Sequence, residues 1–229
     1  MTRKASARIT GFTFLLYIAA GIASMVLASQ ATAGDTVSSQ LANVARHVLQ
    51  LRLTILLGLT QNACALFLAI FLYSLTRDVD RDLALLGMAF RLGEGLTGAL
   101  ANRTTAQILW LSSSGAGSGT SPATVEALGT YLLKAPGANI SAIFFAMGST
   151  VFSYLLLRGR VIPFALGWLG VVASVLLLVA LPLEYVGFLS GKIAAPVWIP
   201  MALYEIPLGF WLIVRGATPA TAQQALVTP

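Results

Sequence analysis

Residues 53–82 read LTILLGLTQNACALFLAIFLYSLTRDVDRD. Up to Thr76 the stretch carries no charge, and then Arg77, Asp78, Asp80, Arg81 and Asp82 crowd together. A helix rises about 1.5 Å per residue, so ~20 apolar residues cross a ~30 Å hydrocarbon core. The first part has that length, and no bilayer core takes the charged run after it. The pair reads as a membrane span and the aqueous turn that ends it. The pattern repeats outward in both directions, with spans at about 9–29, 53–75, 83–111, 137–157, 164–189 and 197–214. Span four ends at Arg158-Gly159-Arg160-Val161-Ile162-Pro163, and span five at Ser190-Gly191-Lys192 with Pro196 before the last span. Span three is interrupted by Arg91, Glu94, Asn102 and Arg103. It is kept because its flanks fit and an even number of spans agrees with the charge map.

Composition points the same way. The 229 residues are 57% hydrophobic and 10% charged, against roughly 45–50% and 25% in soluble domains. That excludes an ordinary soluble domain and predicts an all-α bundle of six transmembrane helices, a single domain over 1–216 with a flexible cytoplasmic tail at 217–229. Lysine and arginine accumulate in cytoplasmic loops. With both termini inside, Arg3, Lys4, Arg8, Arg77, Arg81, Arg158, Arg160 and Arg215 face the cytoplasm, eight against Arg46, Arg52, Lys134 and Lys192 outside. The net charge of +6 then reflects anchoring on anionic membrane lipids, with nucleic acid a poor alternative. One cysteine and one histidine exclude a disulfide framework and a conventional zinc, iron–sulfur or copper site built from this chain alone, so neither metal nor cofactor is expected.

Ala31-Thr32-Ala33 resembles a signal-peptidase site, but the apolar stretch from Ile9 to Ala28 exceeds the roughly 7–15 residues of a signal h-region and reads as a span. In the first outer loop Leu41, Val44, Val48 and Leu51 recur at helical spacing, which predicts a helix over 37–51 lying on the outer surface with its apolar stripe down. The second outer loop opens with a flexible Ser/Gly run, Ser112 to Gly119, and Ser121-Pro122 then starts a short helix, serine capping and proline in the first turn. These segments either finish the fold at the interface or lid a cavity. No internal repeat supports an inverted-repeat transporter.

The chain resembles a bacterial family of six-span membrane proteins, domain of unknown function 4386, over nearly its whole length. The likeness is carried by Arg8-Ile9-Thr10-Gly11-Phe12, by Phe90-Arg91-Leu92-Gly93-Glu94, and most specifically by the run from Pro200 to Gly216, PMALYEIPLGFWLIVRG. It implies a multi-pass protein of the bacterial inner membrane and supplies no catalytic residues.

Ionisable groups at mid-span cost about 2.5–3.5 kcal/mol each on insertion scales, so each is a functional candidate. Counted from the span ends, Arg91 lies ~12 Å deep, Glu94 ~16 Å and Glu205 ~12 Å, with Gln61 and Asn62 at about 12–14 Å. At about 100° per residue Asn102 falls ~20° from Arg91 and Glu94 ~60° to its other side, and Arg91 and Glu94 are i,i+3 neighbours. Gly95 and Gly98 flank this stripe and let another backbone approach. Arg103 points elsewhere and snorkels. Arg91 is expected to pair with Glu94 or Glu205, which leaves one carboxylate short of a partner, able to donate a proton or bind a cation. The competing reading is an ion pair that merely locks helices together.

Two further ligand-binding candidates adjoin prolines. Glu184 follows Pro182, where a freed carbonyl beside a carboxylate forms an ion site or is simply a kink at a helix end. Tyr204 and Glu205 lie between Pro200 and Pro207. Trp110, Trp168, Trp198 and Trp211 read mostly as interfacial anchors, and Cys64 as core packing. No mid-span lysine permits a retinal Schiff base, His47 in an outer loop disfavours haem, and the Ser112–Gly119 run lacks the lysine of a Walker motif. Three functions compete. One is binding or transport of a small apolar or amphiphilic molecule or an ion at the mid-membrane cluster, through Gln61, Asn62, Arg91, Glu94, Asn102, Glu184, Tyr204 and Glu205. Another is a membrane-embedded isomerase or cyclase with Glu94 or Glu205 as the acid. The last is an accessory subunit in a homo- or hetero-oligomer.

Overall fold

The computed structural model describes residues 2–114, 121–134, 140–189 and 195–217. The proposed tail, most of the Ser/Gly run and the Ser190–Lys192 break lie outside them. Among the described residues there are eight α-helices and no strand: α1 (Arg3–Ala31), α2 (Val37–Arg46), α3 (Val48–Thr76), α4 (Arg81–Ser114), α5 (Pro122–Lys134), α6 (Ile140–Arg158), α7 (Phe164–Tyr185) and, after a 3₁₀ turn at Ala195–Val197, α8 (Trp198–Val214). Five of these (α1, α3, α4, α6, α7) are long and apolar enough to cross a membrane, and α8 is apolar but shorter, at 17 residues.

The six long helices close into a ring. α1 packs on α3, α3 on α4, α4 on α6, α6 on α7, α7 on α8, and α8 returns to α1. The last contact is close because both helices lack a side chain where they cross: a Cβ at Gly209 would stand 3.2 Å from the Gly11 carbonyl oxygen. Small residues at such crossings are how membrane helices approach without a hydrophobic driving force. Large apolar side chains such as Phe12, Leu56, Phe67 and Val172 remain exposed on the outside of the ring, as a lipid-facing belt requires.

The two ends of the ring differ. At one end Arg3 of α1 reaches Asp78 at 3.5 Å, and Arg158 of α6 reaches Asp80 at 3.2 Å. Asp80 also caps α4, accepting from the Leu83 amide. The Lys4 side chain lies beside Gly216, so the first and last described residues share this charged end. At the other end α2 and α5 pack together and onto α4. Ser121 caps α5 by accepting from the Thr124 amide, as its sequence predicts.

Two expected boundaries move. The helix over 37–51 is two helices, broken at His47 with φ −115° and ψ 36°, so residues 48–51 begin α3. The Asn43 side chain pins the end of α2 by donating to the Gln30 and Ala31 carbonyls. The stripe on α2 faces protein: Val37 and Leu41 pack with Leu111 and α5, and Val44 with Ala31, Leu51 and Ile108. The fifth span ends at Tyr185 instead of 189. Gly187, at φ +85°, takes the left-handed turn while Phe188 and Gly187 donate to the Leu183 and Glu184 carbonyls, the Schellman closure of a helix.

Candidate functional site

The charged end of the ring is filled. Leu68, Leu72, Leu75, Leu155, Leu208 and Leu212 are fully enclosed there. Polarity enters at mid-height. Arg91 on α4, 1% exposed, donates through Nη1 to Glu94 Oε2 at 2.6 Å, one helical turn along the same helix. Glu94 Oε1 accepts from the Tyr17 hydroxyl of α1 at 2.7 Å, so both oxygens of this carboxylate are engaged. The second Nη of Arg91 lies 3.7 Å from Glu205 Oε1 on α8, beyond hydrogen-bond length. Glu205 makes no hydrogen bond among the described residues. The expected ion pair is therefore made to both carboxylates, tightly to one and loosely to the other.

Packing of the guanidinium explains why it stays enclosed. Its Cζ lies 4.8 Å from the Phe145 ring centroid, 5.8 Å from Phe14 and 6.0 Å from Tyr17, within the range of cation–π attraction. Its stem runs over Gly148 of α6, where a Cβ would lie 3.0 Å from Arg91 Cγ. The Ser141 hydroxyl ties α6 to α4 by donating to the Glu94 carbonyl at 3.0 Å. Among the described residues, Nε of Arg91 and Oγ of Ser149 are buried without a hydrogen-bond partner.

Beside this cluster opens a cleft of about 430 Å³ between α1, α3, α4, α6 and α8. Glu94, Glu205 and Tyr17 lie at its base, and Met25, Asn102 and Trp198 toward the α2–α5 end. From Tyr17 to Met25 the helical rise is about 12 Å. Gln61 and Asn62 of α3 also line it. Asn102 packs on Gly58, and Asn62 on Gly98. The Asn62 carbonyl lies 3.2 Å from where a Gly95 Cβ would sit, so the two glycines admit α3 as their spacing suggests.

Of the candidates, Gln61, Asn62, Glu94, Asn102 and Glu205 share the cleft wall. Arg91 lies behind the wall, bonded to the carboxylates. Tyr204 is buried on the other side of α8, its ring against Gly170 of α7 and beside Ser153; one residue along a helix turns it about 100° from Glu205. Glu184 is half-buried at the end of α7, a helix that does not line the cleft. Trp198, although 38% exposed, lines the cleft with its ring tilted against Phe145 at 5.8 Å, whereas Trp110 and Trp168 are exposed away from the cleft. Tyr17, Phe145 and Gly148 were not singled out in the sequence, because aromatic and glycine residues inside apolar spans look like ordinary lipid-facing or packing positions.

No curated protein and no solved structure matches the chain. The family model described as Domain of unknown function (DUF4386) matches residues 9–216, nearly the whole of a ring that begins in α1 and closes through α8, and the chain belongs to that family.

Proposed function

We propose that the protein crosses the bacterial inner membrane six times with both termini in the cytoplasm, and binds or transports a small amphiphilic molecule or ion in the cleft above Glu205. For the sixth crossing, the 17 residues of α8 and the 3₁₀ turn before it supply about 31 Å of rise, enough for the hydrocarbon core. The shared end of the first and last described residues supports an even number of crossings, and the lysine and arginine bias supports a cytoplasmic position for that end.

The observation that carries the functional reading is Glu205, a carboxylate 5% exposed whose nearest charged partner is 3.7 Å away at the base of an open cleft. A side chain kept only to lock helices would be expected to hydrogen-bond as Glu94 does, since an unsatisfied buried group is costly. The same carboxyl against aromatic and methyl groups also favours a second reading, an acid–base isomerase or cyclase on a lipid-like substrate, with Glu205 as proton donor.

Solvent access tests this. In a Cys64→Ala background, cysteines at Asn102, Ala202 and Leu208 are challenged with a charged, membrane-impermeant thiosulfonate from the periplasmic side. Asn102→Cys and Ala202→Cys should react quickly and Leu208→Cys, in the filled end, should not. Equal resistance at all three positions would mean a dry bundle and would leave the accessory-subunit reading.

A further inference from the structure

We infer that the cleft takes an organic cation with an apolar or aromatic body, an inference that deepens the binding reading above and rests on it. The first argument is which charges face the opening. Among the described residues, the charged groups on the cleft wall are the two carboxylates, Glu94 and Glu205. The cation of the cluster, Arg91, lies behind them with its Nη atoms turned toward their oxygens. With both carboxylates ionised, a state that an entering cation favours, one arginine leaves one negative charge over, and the engaged oxygens of Glu94 assign it to Glu205. An anion entering here would meet carboxylate first.

The second argument is the aromatic lining beside the carboxylates. Tyr17, Phe145 and Trp198 line the same cleft. Tyr17 and Phe145 lie parallel within 2° at 6.3 Å, and Trp198 tilts 36° from Phe145 at 5.8 Å. Ring faces attract cations, and aromatic cages beside a carboxylate recognise alkylated ammonium groups. The cluster already holds one delocalised cation in this manner, the Arg91 guanidinium over Phe145. A hard metal ion is a poorer match, because calcium takes about 6–8 oxygen ligands and the base of the cleft offers rings and one open carboxylate, with the amides of Gln61, Asn62 and Asn102 as the cleft's other main polar groups. A volume of about 430 Å³ admits an ammonium carrying a ring-sized body.

The test uses three probes of one shape on the full-length protein in lipid nanodiscs: phenyltrimethylammonium, its uncharged carbon isostere tert-butylbenzene, and benzenesulfonate. Binding is read by equilibrium dialysis against empty nanodiscs. The ammonium should bind about tenfold or more tighter than the isostere, benzenesulfonate should not bind, and Glu205→Gln should bring the ammonium close to the isostere. The wild-type comparison decides even if that variant does not fold. If isostere and ammonium bind equally, or the sulfonate binds best, the cation inference is overturned while the binding site stands. If none binds above empty nanodiscs, the inference falls, and a cysteine-accessible cleft would then separate its failure from that of the broader reading.

Discussion

Replacing Arg91 with leucine removes the cation from between two carboxylates and is the most informative single perturbation of the ring. The lost bonds are one charge-assisted hydrogen bond at 2.6 Å to Glu94 and one looser contact at 3.7 Å to Glu205. Breaking a buried pair from one side costs about 3–5 kcal/mol. Both carboxylates line the cleft and recover some hydration, so the lower end, about 3 kcal/mol, is expected. At about 2–4 °C per kcal/mol for a chain of this length, the apparent melting temperature in detergent should fall by about 6–12 °C. The geometry also orders the rescues. Arg91→Leu with Glu94→Gln removes the tightly bonded carboxylate and keeps an acceptor for Tyr17, so a double-mutant cycle should show about 1–3 kcal/mol of coupling. Arg91→Leu with Glu205→Gln should show less, because no hydrogen bond joins that pair. A melting shift below about 2 °C for the single variant, or coupling to Glu205 at least equal to that with Glu94, would refute this account of the cluster.

Other outcomes follow from the same geometry. Tyr17→Phe deletes the donor to Glu94 Oε1 and should cost about 1.5–3 kcal/mol, read as a lower melting temperature; an unchanged value would mean that water or another group replaces the hydroxyl freely. Gly209→Val sets a branched side chain against the Gly11 carbonyl and should destabilise by about 1–3 kcal/mol, whereas Gly187→Ala, where nothing crowds the Cβ, should cost only the left-handed backbone penalty of about 1 kcal/mol. Single cysteines at Thr2 and Ser38, in a chain lacking Cys64, should label from opposite faces of the membrane, and labelling of both from one face would end the six-crossing proposal.

The five long apolar helices were legible because lipid imposes one rule, length without charge, that a sequence obeys locally. The Arg91–Glu94 pair was legible for a related reason: its partners sit on one helix, and helical spacing alone brings them together. Its link to Glu205 was readable only as a matter of depth, since residues at one level meet only if the fold turns their helices toward each other. α4 packs on α3 and α6 and faces α1 and α8 across the ring, where long side chains bridge the interior. Tyr17 was missed for the same reason, its hydroxyl finding Glu94 across 77 residues of chain. Tyr204 shows the converse. Adjacent in sequence to a cleft residue, it faces away, because a helix turns through about 100° at each step. The break at His47 was missed because the apolar stripe continues through it, and only the side-chain bonds of Asn43 mark the end of α2.

That the ring is shut by its two terminal helices bears on how the chain is made. Synthesis delivers helices in order, so α4 must enter the bilayer while α8, with Glu205, has not yet been made. α4 is also the least apolar of the five long helices, and two separate charges would each oppose its insertion by about 2.5–3.5 kcal/mol. Arg91 and Glu94, three residues apart and bonded to each other, present the translocon with a neutral couple. Tyr17, already in the membrane, supplies the remaining donor. α4 can therefore insert without waiting for the end of the chain. The last helix then brings the carboxylate that arginine only loosely receives, so the group left open to the cleft is the last to arrive.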